Sequence, residues 1–299
     1  MEILFVYNPE SGRGKIKNKI TYIKEYIKKR NHNITIKATT KQTDAYNYAK
    51  NCNGYDLMLV AGGDGTLNEV VNGLMELEKK PLLGYIPTGT VNDVAHLIGI
   101  PKKVKKALDI IFEDDFKKKI DITKINDKYF VYTSATGKFA KASYDIKRQL
   151  KRKYGVFAYL YRGSQEIFRD YNMAADIKYD QGRFRGPYSL LLFLNGPRVG
   201  GYRLHSLKSK LDDGLIEARF FKREPGMLMR FLSFFLSGGL YNTKKNKTIS
   251  STKFIVEIDN NSEWNIDGEF AFRGCANLEV INRAITIFVN PKKKKLFVK

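Results

Sequence analysis

Leu57-Met58-Leu59-Val60-Ala61-Gly62-Gly63-Asp64-Gly65-Thr66-Leu67-Asn68-Glu69 is an apolar run that ends in three glycines within four positions. Leu67, Val70, Val71 and Leu74 then recur at the spacing of the buried face of a helix. The pattern predicts a buried strand, a tight turn and a helix start. Gly62, Gly63 and Gly65 remove every Cβ in the turn but that of Asp64, so the backbone can turn sharply and approach a ligand closely. A helix beginning there offers free N–H groups and the positive end of its dipole, a ready site for phosphate.

The same arrangement recurs on either side. Ile3–Tyr7 reads as a strand, followed by Asn8-Pro9-Glu10-Ser11-Gly12-Arg13-Gly14-Lys15 and then Ile16, Ile20, Ile23 and Ile27 at helical spacing. The turn ends in Gly-Lys but lacks the earlier glycine and final Ser/Thr of a Walker A loop, which excludes a P-loop. Ile34 and Ile36 alternate as a second strand ending near Thr39 and Thr40, with a polar helix over 44–50. Downstream, Leu82–Ile86 is another buried strand, and Pro87-Thr88-Gly89-Thr90-Val91-Asn92-Asp93 again precedes a helix. Four strand–loop–helix alternations in about 115 residues predict an α/β domain with a parallel sheet. Its Gly/Ser/Thr loops converge at the carboxyl ends of the strands and line one site.

Beyond about Lys119 the pattern changes. Ile120–Thr123 and Tyr129–Thr136 read as strands around an Asn126-Asp127 turn, followed by a basic, Tyr-rich helical stretch, Lys141–Tyr171. Strands then dominate: Ala174–Tyr179, Tyr188–Asn195, Leu215–Phe221, Thr252–Asp259 and Asn277–Phe288. Long β runs with Gly- and Asn-containing turns predict a second, antiparallel domain. The expected division is 1–122 and 123–299, with the last residues returning to the first domain, and Lys292–Lys295 reads as a solvated basic tail or edge.

The chain has 299 residues, 43% of them hydrophobic, enough for two cores. Lys and Arg number 53 against 31 Asp and Glu, a formal charge of +22 that points to a polyanionic partner: nucleic acid, an anionic membrane surface or phosphorylated small molecules. A codon-biased, solvated surface would give the same excess. Two cysteines, Cys52 and Cys275, exclude a disulfide framework and suit a reducing cytosol. The sequence opens directly on a strand, so no signal peptide is expected. The most hydrophobic window, Gly226–Tyr241, is broken by Arg230 and is shorter than the roughly 20 residues that span a bilayer. The expectation is a cytoplasmic protein, at most peripheral to a membrane.

Three histidines, His32, His96 and His205, leave no Ser-His-Asp arrangement or His metal cluster. Acidic residues beside glycine remain, and phosphoryl transfer uses them: carboxylates hold Mg²⁺, backbone N–H groups surround phosphates, and one base faces the acceptor hydroxyl. Asp64, Asp93 and Asp121 are such candidates. An aspartate in a turn, or at a helix start, also has ordinary structural uses. Asp212-Asp213-Gly214 could ligate Mg²⁺ together with carbonyl oxygens or form an acidic turn. Asp267-Gly268-Glu269 carries two carboxylates on the dipeptide that most favours a β-hairpin.

Taken together, the chain resembles the bacterial diacylglycerol kinase-like lipid kinases, relatives of sphingosine and ceramide kinases, over essentially its whole length. The signals are Asn8-Pro9-x-Ser11-Gly12, Gly62–Glu69, Pro87-x-Gly89-Thr90-x-Asn92-Asp93, Asp212-Asp213-Gly214 and Asp267-Gly268-Glu269. The resemblance implies an N-terminal α/β nucleotide-binding domain and a C-terminal antiparallel β-sandwich, with ATP and lipid meeting in a cleft. It implies ATP contacts at Asn8, Pro9, Glu10, Ser11, Gly12, Thr39, Gly62, Gly63, Asp64, Gly65, Thr66, Leu67, Asn68 and Thr90. Asp64, Asp93 and Asp121 would form a Mg²⁺-and-water network. A structural Mg²⁺ would sit at Asp213 with the carbonyls of Lys210 and Leu215. The base would be Asp267 or Glu269, with Asp267 placed first.

The activity this implies is ATP- and Mg²⁺-dependent phosphorylation of a lipid hydroxyl, diacylglycerol first, at an anionic membrane surface and not on nucleic acid; a homodimer is left open. The Lys147–Arg162 region and Gly226–Tyr241 are candidates for a membrane-facing surface, with packing of the latter's apolar face on the sandwich the favoured account. An NAD kinase shares the glycine turn but not the Pro87–Asp93 and Asp267–Glu269 motifs. A non-catalytic binder of anionic lipid or nucleic acid would gain nothing from carboxylates in its groove.

Overall fold

The computed structural model describes residues 1–137, 172–204, 209–223 and 248–298, with Met229, Ser233 and Ser237 besides. The helical stretch expected over 141–171, and nearly all of the 226–241 segment, lie outside these residues. The chain divides into two compact units: Met1–Ile120 with Arg283–Phe297, and Asp121–Asn282 with Val298.

In the first unit β1 (Glu2–Tyr7), β2 (Asn33–Ala38), β3 (Leu57–Gly62) and β4 (Leu82–Pro87) run parallel in the order β2-β1-β3-β4. Every residue of β3 is buried, as its unbroken apolar run requires of a central parallel strand covered on both faces. The helices are α1 (Ile20–Lys28), α2 (Asp44–Lys50), α3 (Asp64–Met75), α4 (Asp93–Ile98) and α5 (Val104–Asp109). Leu67, Val70, Val71 and Leu74 are the buried face of α3, as their spacing predicts.

Two expectations change. The helix expected from Ile16 begins at Ile20, because Gly12 and Gly14 are left-handed and leave 3-10 turns over Ser11–Gly14 and Lys17–Lys19. The basic run near the end is no free tail. Pro291–Leu296 forms a 3-10 helix capped by Asn290, whose backbone N–H donates to the Ile98 carbonyl, and Phe297 is buried behind it.

The second unit is built from β5 (Lys117–Ile125, which enters it at Asp121), β6 (Lys128–Phe130), β7 (Thr133–Gly137), β8 (Met173–Tyr179), β9 (Gly182–Leu194), β10 (Arg198–Val199), β11 (Tyr202–Arg203), β12 (Ile216–Lys222), β13 (Thr248–Ser251), β14 (Lys253–Glu257), β15 (Glu263–Ile266), β16 (Glu269–Arg273) and β17 (Ala276–Phe288). The pairings β7–β9, β9–β12, β12–β13, β8–β9, β8–β14, β14–β17, β7–β15 and β15–β16 are all antiparallel. The end of β17 belongs to the first unit, where Ile287 pairs in parallel with Leu83. Phe193 lies at the centre of the second core, its ring 5.3 Å from Phe254, 5.7 Å from Trp264 and 5.8 Å from Phe220.

One expected strand is split and another begins one residue late, and in each case a carboxylate takes backbone N–H groups at the irregular point. Tyr129–Thr136 breaks at Val131 and Tyr132, whose N–H groups donate to Asp267. Thr252–Asp259 is preceded by a break at Thr252, whose N–H and hydroxyl both donate to Asp180. No helix among the described residues is long and apolar enough to cross a membrane.

Candidate active site

The loops at the carboxyl edge of the parallel sheet are fastened to one another. The Asn8 amide donates to the Thr66 hydroxyl at 3.3 Å and its oxygen accepts from the Glu10 N–H at 2.9 Å, so the first loop is tied to α3. The Thr88 hydroxyl donates to that of Ser11 at 2.9 Å. A Cβ on Gly12 would lie 1.9 Å from the Thr88 carbonyl oxygen, and one on Gly89 would lie 2.7 Å from the Gly63 Cα. These glycines therefore let loops approach loops.

The glycine turn leads into α3. Gly63 is its N-cap and, having no side chain, supplies no cap hydrogen bond to the start of this twelve-residue helix. A phosphate fits such a terminus on both hydrogen bonding and dipole. Asp64, half-buried at the first position, points its carboxylate elsewhere: Oδ2 accepts from the Asp93 N–H at 3.1 Å and Oδ1 from the Val94 N–H at 3.2 Å. It caps α4, whose own N-cap Asn92 is left-handed and spends its amide on the Gly89 carbonyl at 2.7 Å. Asp93 is fully buried and Thr90 exposed. Thr39 is buried, its N–H donating to Tyr7.

The sequence pattern did not single out Tyr85. It is fully buried on β4 and its hydroxyl donates to the Gly62 carbonyl at 3.1 Å, holding the glycine turn from beneath. Burial, then the Asp64 charge, push its pKa well above the ordinary value. A hydroxyl in the middle of an otherwise apolar strand was the available signal.

In the second unit the acidic residues form two groups. Asp267 and Gly268 are both left-handed, making the two-residue hairpin between β15 and β16 that Asp-Gly favours. The Asp267 carboxylate is buried and accepts backbone N–H groups from Val131 (2.8 Å), Tyr132 (3.1 Å) and Thr133 (3.0 Å). Glu269, two residues on, is exposed.

The other group surrounds Gly214. The Asp213 carboxylate accepts from the Lys210 and Leu215 N–H groups at 3.1 and 3.2 Å. Asp121, buried at the start of the unit, accepts from the Gly214 N–H at 2.7 Å, and Asp212 accepts from Val298 at 2.6 Å. Burial, then the neighbouring Asp212 charge, raise the Asp213 pKa. Glu217 lies on β12 with its Oε2 buried and without a partner among the described residues, and burial pushes its pKa up to about 8. This excess of half-buried, hard oxygen donors fits a cation of the Mg²⁺ class. Among the described residues no three His, Cys, Asp or Glu side chains converge on one point, so carbonyls would complete the set.

Comparison with known proteins supplies the family. Residues 2–125 match the diacylglycerol kinase catalytic domain. The chain is 31% identical to a diacylglycerol kinase of Bacillus subtilis, over 97% of this chain and 96% of that one. It is 33% identical to one of Staphylococcus carnosus, over 97% and 95%. It belongs to the diacylglycerol kinase family. The fold agrees: a crystal structure of a Bacillus anthracis diacylglycerol kinase superposes with a TM-score of 0.80 at 24% identity, over 97% of this chain and 98% of that one.

As a family member the protein is a phosphotransferase enzyme. The structure brings the Asn8–Gly12, Gly62–Asn68 and Pro87–Asp93 motifs of this kinase into one set of interlocked loops, and places Asp121 with the Asp212–Gly214 turn in the other unit.

Proposed function

We propose that this kinase transfers the γ-phosphoryl group of ATP to the hydroxyl of diacylglycerol, yielding phosphatidic acid, with Mg²⁺ as its metal. The supporting observation is the glycine-capped N-terminus of α3 set among three loops that hold each other in place. In this reading Asn8–Gly12, Thr39, Gly62–Asn68 and Thr90 hold the nucleotide, and Asp64 and Asp93 fix the loop geometry beside the phosphates. Positioning of this kind supplies most of the catalysis in phosphoryl transfer, since the chain need do little covalent chemistry.

Glu269 is our choice of base. Asp267 already accepts three backbone N–H groups, whereas the exposed Glu269 carboxylate can take the proton of the lipid hydroxyl as its oxygen bonds to the γ-phosphorus and the bond to the β-phosphate oxygen breaks. Asp213, with the carbonyls of Lys210 and Leu215, would hold a structural Mg²⁺. A Mg²⁺ at the phosphates, when bound, supplies neutralisation of their oxygens. The substrate is a membrane lipid, and a net charge of +22 supports peripheral docking on an anionic, cytoplasmic-side surface in phospholipid metabolism.

Incubation with radiolabelled ATP, Mg²⁺ and vesicles carrying diacylglycerol, ceramide or sphingosine, with NAD in a parallel reaction, tests the proposal. The expected product is labelled phosphatidic acid. Label in NAD, or in none of the lipids, overturns it. Flotation with vesicles of graded anionic content tests the docking, and indifference to that content would remove it.

A further inference from the structure

Tyr85 carries the only side-chain hydroxyl of β4. It pairs with Val60 in the β3–β4 ladder and is fully buried, yet its hydroxyl reaches two loops at once. The oxygen lies 3.1 Å from the Gly62 carbonyl, to which it donates, and 3.4 Å from Asn92 Oδ1. Gly62 ends β3 in the glycine turn, and Asn92 is the N-cap of α4 in the loop after β4. Asn92 is itself fully buried and left-handed at φ 56°, and its amide nitrogen donates to the Gly89 carbonyl at 2.7 Å. A Cβ on Gly89 would lie 2.7 Å from both the Asn92 Oδ1 and the Gly63 Cα, so the two loops are packed tightly above the tyrosine. Asp64 ties the same loops through the Asp93 and Val94 N–H groups, at a half-buried position. Tyr85 is the second tie, and it is dry. Burial, then the Asp64 charge, hold its pKa well above the ordinary value, so the hydroxyl stays a donor.

The Gly62 carbonyl also accepts from the Thr88 N–H at 2.8 Å, so two donors from the β4 side fix the direction of one peptide. A trans peptide points its N–H opposite to its carbonyl, and the Gly63 N–H therefore faces away from β4. The peptide joins two glycines, where the backbone reorients at little steric cost, so its direction has to be held from outside. We infer that Tyr85 is a positioning residue for nucleotide binding: its hydroxyl locks the Gly62–Gly63 peptide, and through Asn92 the 89–92 loop, in the arrangement that turns the Gly63 N–H to the phosphates. The inference rests on the reading that ATP binds at the glycine turn. An amide anchored in advance meets an anion without reorganising on binding, and a buried anchor is not contested by water.

The experiment compares the unmodified chain with Tyr85→Phe, which keeps the ring and removes the hydroxyl. Calorimetry gives the affinity for ATP with Mg²⁺, and kinetics with diacylglycerol vesicles give KM and kcat. Amide signals of chains made with isotope-labelled glycine are followed by NMR. Gly63 is assigned from Gly63→Ala, whose Cβ would meet the Gly89 Cα at 3.5 Å, an ordinary contact. Expected for Tyr85→Phe is a rise of about fivefold to tenfold in Kd and KM for ATP, the scale of one buried hydrogen bond, with kcat within about twofold. ATP should shift the Gly63 amide of the unmodified chain, and that amide should already be displaced or broadened in Tyr85→Phe before ATP is added. An unaltered Kd for ATP, with or without a lower melting temperature, overturns the inference and leaves Tyr85 a structural anchor. If Tyr85→Phe does not fold, the unmodified chain decides alone, and a Gly63 amide that ATP leaves in place overturns it. Failure of the nucleotide reading looks different: the unmodified chain then binds no ATP.

Discussion

Asp64 and Asp267 occupy the same kind of place in different units. Each lies beside glycine at a sharp turn, and each gives both carboxylate oxygens to backbone N–H groups far away in sequence: Asp64 to the start of α4, Asp267 to the break between β6 and β7. They differ in surroundings. Asp64 is half-buried at the open end of a helix, whereas Asp267 is buried at 4% exposure and holds three donors in place of two. Asp64 and Asp267 thus act as staples for loops, which under the proposed function leaves Glu269 of the Asp-Gly-Glu motif as the base.

The largest expected effect separates those two roles. Glu269→Gln should lower phosphoryl transfer to diacylglycerol by about 10²- to 10⁴-fold, the usual worth of a general base, with an unchanged melting temperature. Retained activity would return the base to Asp267 and end the contrast between staple and base. Asp267→Ala should do the reverse in stability. Three N–H groups of Val131, Tyr132 and Thr133 would be left buried without acceptors, costing about 3 kcal/mol or more in denaturant unfolding. Asp267→Asn keeps acceptor oxygen and should lose about half of that.

The sheet, its order of strands and the glycine turn were legible because a parallel strand buried on both faces writes itself as an apolar run and a helix as a 3.6-residue repeat. The site was legible only as motifs. That Asp267 reaches Val131 across 136 positions, or that Gly12 abuts Thr88, depends on pairings between loops that no local pattern records. The same limit explains the split strand and the late start of β14, since nothing in Val131-Tyr132 or Thr252 shows that a distant aspartate will take their N–H groups. Glu217 and Arg219 misled differently. They alternate with Ile216, Ala218 and Phe220, a pattern that by itself places them on a solvent face, yet Leu190, Leu192 and Leu194 of β9 share that face and both charges are buried.

A smaller effect tests the other half of the comparison. Asp64→Ala removes the cap from α4 at a half-buried position where water can reach the freed donors, so unfolding should shift by about 1–2 kcal/mol, less than for Asp267→Ala. A larger loss would mean that the nucleotide loops are held as rigidly as the β hairpin, and would erase the distinction drawn from burial.

The buried acid whose Oε2 lacks a partner among the described residues gives the last and most gradual effect. The Glu217 pKa is raised from 4.5 to about 8, first by burial and, less strongly, by the Asp213 charge, with the Ser209 hydroxyl opposing. Below about pH 4.5 the group is protonated in the folded and unfolded chains alike and its stability contribution is fully present. Above that pH the unfolded chain releases the proton while the folded chain keeps it up to about pH 8, so the folded state binds more protons and stability falls as pH rises through the window. The slope is at most about 1.4 kcal/mol per pH unit, reduced by whatever water reaches the site. Denaturant titrations from pH 5 to 8 in the presence of a chelator should show the decline, and Glu217→Gln should flatten it. In the first unit Glu69 is also raised by burial, but three N–H bonds oppose the shift, so Glu69→Gln should leave the slope nearly intact. Equal flattening by the two variants would mean that the balance of burial against hydrogen bonding, which differs between the two acids, does not govern how these units respond to pH.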